Sequence, residues 1–184
     1  GDAYAYYQNA GEPNPVSDSW TVSFVQGGPQ LPASITVDSL ASWTDFAGDE
    51  YKAFSGTAVY TPTIDKVPVA DVIKLDLGSV AENASVYLNG DYIGTVIDSP
   101  YQLYIPAEKF KGQDELVVRV ANSMSNRIAY MDKKGVDWKI FYNVNMSARK
   151  KENVKNGIFD ASDWEPKSSG LLGPVTLTPA MVKQ

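Results

Sequence analysis

Leu75-Asp76-Leu77-Gly78, followed by Ala84-Ser85-Val86-Tyr87-Leu88-Asn89-Gly90-Asp91-Tyr92-Ile93-Gly94-Thr95-Val96, decides the fold class. The 84–88 and 92–96 runs have the two-residue alternation of half-buried strands. Asn89-Gly90 between them is the strongest short hairpin signal, because both residues accept positive φ. In Leu75-Asp76-Leu77-Gly78 the two leucines are expected to face a core while Asp76 faces outward, and Gly78 lets the chain turn.

The same period recurs outward from this stretch. Trp20-Thr21-Val22-Ser23-Phe24-Val25 alternates large apolar with small polar side chains until Gln26-Gly27-Gly28-Pro29 ends it. Similar runs lie at 56–61, 72–77, 101–105, 116–121 and 175–178, so about eight short strands are expected at a spacing of roughly ten residues. No stretch holds a three-to-four residue apolar period over ten positions, which predicts no long helix. Short helical turns are expected at 39–43 and 106–110. The pattern predicts an all-β protein, a jelly-roll β-sandwich with one long aromatic-rich loop insertion at about 127–170. Residues 1–18, rich in Asn, Pro, Gly and Tyr, read as a linker or edge-covering segment, and 19–184 as a single β-sandwich domain.

The 184 residues include no Cys and no His. Disulfides, thiolate metal sites, cysteine nucleophiles and every His-based relay are thereby excluded from this chain. Carboxylate, Lys or Tyr chemistry, an all-oxygen cation site, or no chemistry remains. With 16 basic and 22 acidic residues the net charge is -6, which predicts no nucleic-acid and no membrane partner. Residues 1–65 carry one Lys against eight carboxylates, and the rest is close to neutral. The start, Gly1-Asp2-Ala3, lacks an initiator Met and predicts a segment of a longer chain.

Particular motifs resemble a known family. Leu40-Ala41-Ser42-Trp43-Thr44, Phe54-Ser55-Gly56-Thr57-Ala58-Val59-Tyr60 and the run from Leu75 to Gly90 are similar, in order and spacing, to the C-terminal galactose-binding-like domain of large α-L-rhamnosidases. Leu116-Val117-Val118-Arg119-Val120-Ala121-Asn122-Ser123-Met124-Ser125-Asn126-Arg127 resembles that family's strand followed by Asn-Arg, and Ser169-Gly170-Leu171-Leu172-Gly173-Pro174-Val175 its closing segment. Gly173-Pro174 is expected to admit the last strand at a sheet edge, where a missing N–H is tolerated. The resemblance implies a galactose-binding-domain-like fold and a noncatalytic, carbohydrate-binding-type accessory domain of an exported glycoside hydrolase acting on plant-type polysaccharide. Its catalytic carboxylates would belong to a separate barrel domain of the parent chain. A structural calcium is a further implication of the resemblance, with no ligands assigned and no other cofactor expected.

No catalytic residue is assigned. Aromatic faces beside hydrogen-bonding side chains suit sugar rings, and this mixture marks Trp138, Tyr142, Trp164, Asn126, Arg127 and Asp137 as carbohydrate-binding candidates. The competing account has these rings capping the open end of the sandwich. Asn126-Arg127, read as the end of a strand, presents a forked donor to a cleft or locks the loop through a carboxylate. Trp20 and Trp43 read as core. Asp49-Glu50 and Asp114-Glu115 read as solvated turn charges, as do Asp132, Asp137, Asp160 and Asp163. Arg149-Lys150-Lys151 with Lys155 reads as a solvated basic face. Two alternatives stand beside the accessory domain: an independent carbohydrate-binding module, and a small glycosidase using two loop carboxylates.

Overall fold

A computed structural model describes residues 6–64, 66–140 and 150–183. In chain order the strands are β1 (Tyr7–Asn9), β2 (Asn14–Pro15), β3 (Trp20–Gly28), β4 (Ile35–Val37), β5 (Ser55–Pro62), β6 (Val72–Asp76), β7 (Ser79–Ala81) and β8 (Asn83–Leu88). There follow β9 (Asp91–Val96), β10 (Gln102–Pro106), β11 (Leu116–Ala121), β12 (Val154–Lys155), β13 (Ile158–Phe159), β14 (Gly170–Gly173) and β15 (Thr176–Val182). All eight predicted runs are strands. The additional ones are mostly two to four residues long, too short for alternation to reveal.

Alternation places one face of each long strand inward. Six strands form an antiparallel sheet in the order β4-β3-β5-β11-β8-β9, and its cross-strand row Val22, Tyr60, Val118 and Val86 is fully buried. A second antiparallel sheet runs β1-β15-β6-β10, with β2 also on β15. Its row Leu177, Leu75 and Leu103 packs into the same apolar cluster as the first sheet's inner face. Two sheets sharing one core make an all-β sandwich. Trp20 and Trp43 lie in this core, 3% and 0% exposed. Leu75 and Leu77 are buried, whereas Asp76 is half-buried and accepts hydrogen bonds from Gly78 N–H at 2.8 Å and Gln102 Nε2 at 2.6 Å.

The 89–90 turn has φ of 53° at Asn89 and 84° at Gly90, the positive pair a two-residue hairpin needs. Asn89 also reaches back to Asp114 Oδ1, 2.7 Å, and accepts from Glu115 N–H. Asp114 in turn receives the Lys111 and Gly112 amides. One helical turn falls at Ala107–Lys109, inside 106–110; the other lies later than expected, at Trp43–Asp45, where Ser42 Oγ accepts from Thr44 N–H.

Three expectations need correction. Asn126 and Arg127 do not end a strand: β11 stops at Ala121, and both lie in the first turn of helix α2 (Ser125–Lys133), which follows helix α1 (Asp49–Ala53) in the chain. Asn126 is the only buried residue of α2, so no apolar stripe announced it. The 127–170 stretch is not one irregular loop, because its described part contains α2, a turn at Lys151–Asn153 and the β12-β13 pair. The last strand does not enter at an edge. β15 is flanked by β6 on one side and by β1 and β2 on the other, so residues 7–9 and 14–15 take up the hydrogen bonds an edge would leave open.

Candidate functional site

Four of the five resemblance-bearing segments, all but the run from Leu75 to Gly90, meet in one buried hydrogen-bond network around Ser169. Its N–H donates to Ser42 Oγ at 2.9 Å, and its carbonyl receives Trp43 N–H at 3.0 Å. Its hydroxyl oxygen receives Asn122 Nδ2 at 2.8 Å and Asn126 Nδ2 at 3.3 Å. Asn122 Oδ1 also accepts from Gly56 N–H, 2.8 Å, and Arg127 N–H donates to Ser55 Oγ. Polar residues this deep are retained when every partner is satisfied. The network ties the start of β5, the end of β11, α2 and the approach to β14 together, so these motifs carry architecture.

Asn126 therefore locks the loop, as expected of the Asn-Arg pair, but through the Lys167 backbone rather than a carboxylate. It donates to Lys167 C=O at 3.0 Å and accepts from Lys167 N–H at 2.8 Å. Arg127 forms no ion pair among the described residues. Its guanidinium lies against Gly28, and its Nε is buried with no hydrogen-bond partner.

A second knot forms around Asp132, whose side chain is 1% exposed. Oδ1 accepts from Trp138 Nε1 and from the Lys139 ammonium, each at 2.7 Å, and Oδ2 from Ala161 N–H at 2.8 Å. The ammonium of Lys139 stands 5.4 Å from the Trp138 ring centroid and 5.9 Å from that of Phe159. Trp138 and Trp164 pack with Ile128 on Phe159 and Ala161, a small core apart from the main one. Asp132 is thus an organising group and not a solvated loop charge. Sequence reasoning missed this because nothing local distinguishes one loop aspartate from another.

Helix α2, helix α1 and residues 162–166 enclose a cleft of about 510 Å³, within the range of ligand sites. Asn126, Ala129, Tyr130 and Lys133 follow the i, i+3, i+4, i+7 spacing of one helical face, and all line it, as do Lys134, Lys52, Ala53, Trp164 and Pro166. Trp164 is fixed by its indole N–H on Asn153 Oδ1, 2.9 Å, and by Phe159 edge-on at 5.8 Å. Of the sequence candidates, Asn126 and Trp164 come together here. Trp138, Arg127 and the exposed Asp137 are not among the walls. Tyr142 lies outside the described residues, as does Arg149 of the basic cluster. Tyr130, Lys133 and Lys134 were missed because, without an apolar stripe, nothing marked their stretch as a helix that sets them on the face of Asn126.

Among the described residues no three acidic side chains converge as a metal site would require, and no helix is long and apolar enough to cross a membrane. The carboxylates whose pKa moves all move down. Asp160 does so because Ser162 donates to it, with Lys155 adding an ion pair at 3.4 Å. Burial opposes ionisation of Asp114, but the bonds from Asn89 and the 111–112 amides outweigh it. The Lys109 ammonium, 3.1 Å away, lowers Asp91. A glycosidase acid needs the opposite shift. Lys155 also pairs with Asp163 at 3.1 Å, so it is not a free cation.

No family model matches the chain. It is 31% identical, over 90% of its length, to a Formosa agariphila protein whose name ascribes to it beta-glucuronidase activity. A rhamnosidase from Novosphingobium sp. PP1Y superposes on 98% of the chain with a TM-score of 0.69 and 28% identity. The chain spans 16% of each of these proteins. It is therefore related to one segment of larger glycoside hydrolases.

Proposed function

We propose that the chain is a noncatalytic accessory domain of an exported, α-L-rhamnosidase-like glycoside hydrolase acting on plant-type polysaccharide, with the galactose-binding-like variety of jelly roll. The observation that carries this is the pairing of two relatives named for different sugars, each matched over nearly the whole of this chain and a sixth of its own. A segment common to a rhamnosidase and a protein named for glucuronides is better suited to a shared supporting task than to sugar-specific bond cleavage. A catalytic barrel elsewhere in the parent would be its partner. The cleft beside α2 favours a second role, direct contact with carbohydrate.

The test is hydrolysis of 4-nitrophenyl α-L-rhamnoside and 4-nitrophenyl β-D-glucuronide by the purified, folded chain. No release above the blank is expected. Turnover that is abolished by Asp163→Asn or Glu165→Gln would overturn the proposal in favour of a small carboxylate hydrolase.

A further inference from the structure

We infer that the cleft between α1, α2 and residues 162–166 binds the anionic unit of a polysaccharide, a sugar ring bearing a carboxylate or sulfate ester. This rests on the accessory-domain proposal and gives that domain a ligand class. Three observations lead to it.

The walls are held in place before any ligand arrives. Asn126 grips the Lys167 backbone, Trp164 is fixed through Asn153 and Phe159, and Trp164 N–H donates to Ala161 C=O at 3.0 Å. Preorganised walls reduce the ordering cost of binding.

The cleft joins aromatic and small residues. Trp164 and Tyr130 line it together with Ala53 and Ala129. Aromatic rings offer faces to the C–H groups of a pyranose, and alanines leave room for its ring.

Three cations line the same space without ion-pair partners among the described residues. The four ion pairs among the described residues employ Lys109, Lys139 and Lys155, and none employs Lys52, Lys133 or Lys134. Of the cleft's carboxylates, Asp163 pairs with Lys155, which also holds Asp160, while Asp49 lies in the first turn of α1. Glu165 is the remaining one. The ammonium of Lys134 stands 5.8 Å from the Tyr130 ring centroid. In a chain of net charge -6, three lysines outside the ion pairs of the described residues, beside two aromatic residues, match an anionic sugar better than a neutral one.

Calorimetry of the chain with oligogalacturonate, a sulfated galactan oligosaccharide and a neutral galactan oligosaccharide of equal length tests this, with sugar length followed by chromatography. Saturable heat is expected with an anionic oligosaccharide and none with the neutral one. Affinity should fall at least tenfold in Lys133→Gln/Lys134→Gln and in Tyr130→Ala, both confirmed folded by near-UV circular dichroism. Comparing the two anionic arms separates carboxylate from sulfate. Heat that is equal for the neutral sugar, absent altogether, or unchanged in folded variants overturns the inference. Shortening of the oligosaccharide would instead overturn the accessory-domain proposal.

Discussion

The side-chain amide of Asn126 pairs with both polar backbone groups of Lys167, donating to its carbonyl at 3.0 Å and accepting from its N–H at 2.8 Å. Asn126 is 4% exposed, so truncation strands both groups away from water. Asn126→Ala should cost about 2 to 4 kcal/mol in urea unfolding, the penalty of buried groups left without partners. Asn126→Asp keeps the acceptor but sets a buried carboxylate oxygen against the Lys167 carbonyl, and should cost at least as much as the alanine.

Asp132→Ala should cost about 3 kcal/mol locally, because it leaves the Lys139 ammonium without its counter-charge. The damage is expected in residues 133–165 rather than in the sandwich. Faster trypsin cleavage in that stretch and a red shift of tryptophan emission, with the main unfolding midpoint little changed, would show it.

Gly170 has φ of 106°, and a Cβ there would strike the Tyr60 hydroxyl and approach the Trp43 ring at 2.9 Å. Gly170→Ala should therefore destabilise by about 3 kcal/mol, strain and overpacking together. Gly112, with φ of 92° and nothing within 4 Å of its would-be Cβ, supplies the control. Gly112→Ala carries only backbone strain, about 1 kcal/mol. Urea midpoints of the pair separate packing from conformation.

Tyr60 is fully buried and its hydroxyl has no completed hydrogen bond, though the Leu171 backbone lies close enough to offset part of the effect of burial. Burial drives its pKa far above that of a free phenol. The unfolded chain then loses this proton first, so stability present below about pH 10 declines as pH rises beyond it. Tyr60→Phe should change stability at pH 7 by less than about 1 kcal/mol, and should flatten the alkaline slope of urea midpoints.

Asp114 gives the reverse dependence. Its folded pKa is depressed, so its contribution is complete above the unfolded value near 4 and is lost as pH falls through the folded one. The stability gap between the native chain and Asp114→Asn should narrow as pH falls below about 4.

The strands were legible because burial on one face writes itself as alternation, as in 20–25 and 84–88. Helix α2 was not, since a helix that buries a single asparagine has no apolar stripe. Ser169 and Asn122 were recognisable within motifs, yet their hydrogen bond spans 47 positions, a distance at which spacing is silent. For the candidate site, residue type named Trp138 and Trp164 alike. Only the fold shows that one ring is tied to Asp132 while the other lines a cleft. Lysines 133 and 134 drew no notice, because their neighbours across the cleft, Lys52 and Trp164, are distant in sequence.

Tyr7 lies opposite Val182, and Asn9 opposite Ala180. The two ends of the described chain are thus strands of one ladder, and the fold is closed upon itself like a clasped bracelet. Where the bracelet opens is a matter of connectivity and not of architecture. Joining the ends through a short Gly-Ser linker and cutting at Gly112 should preserve every strand pair and yield a circular permutant with the same sandwich.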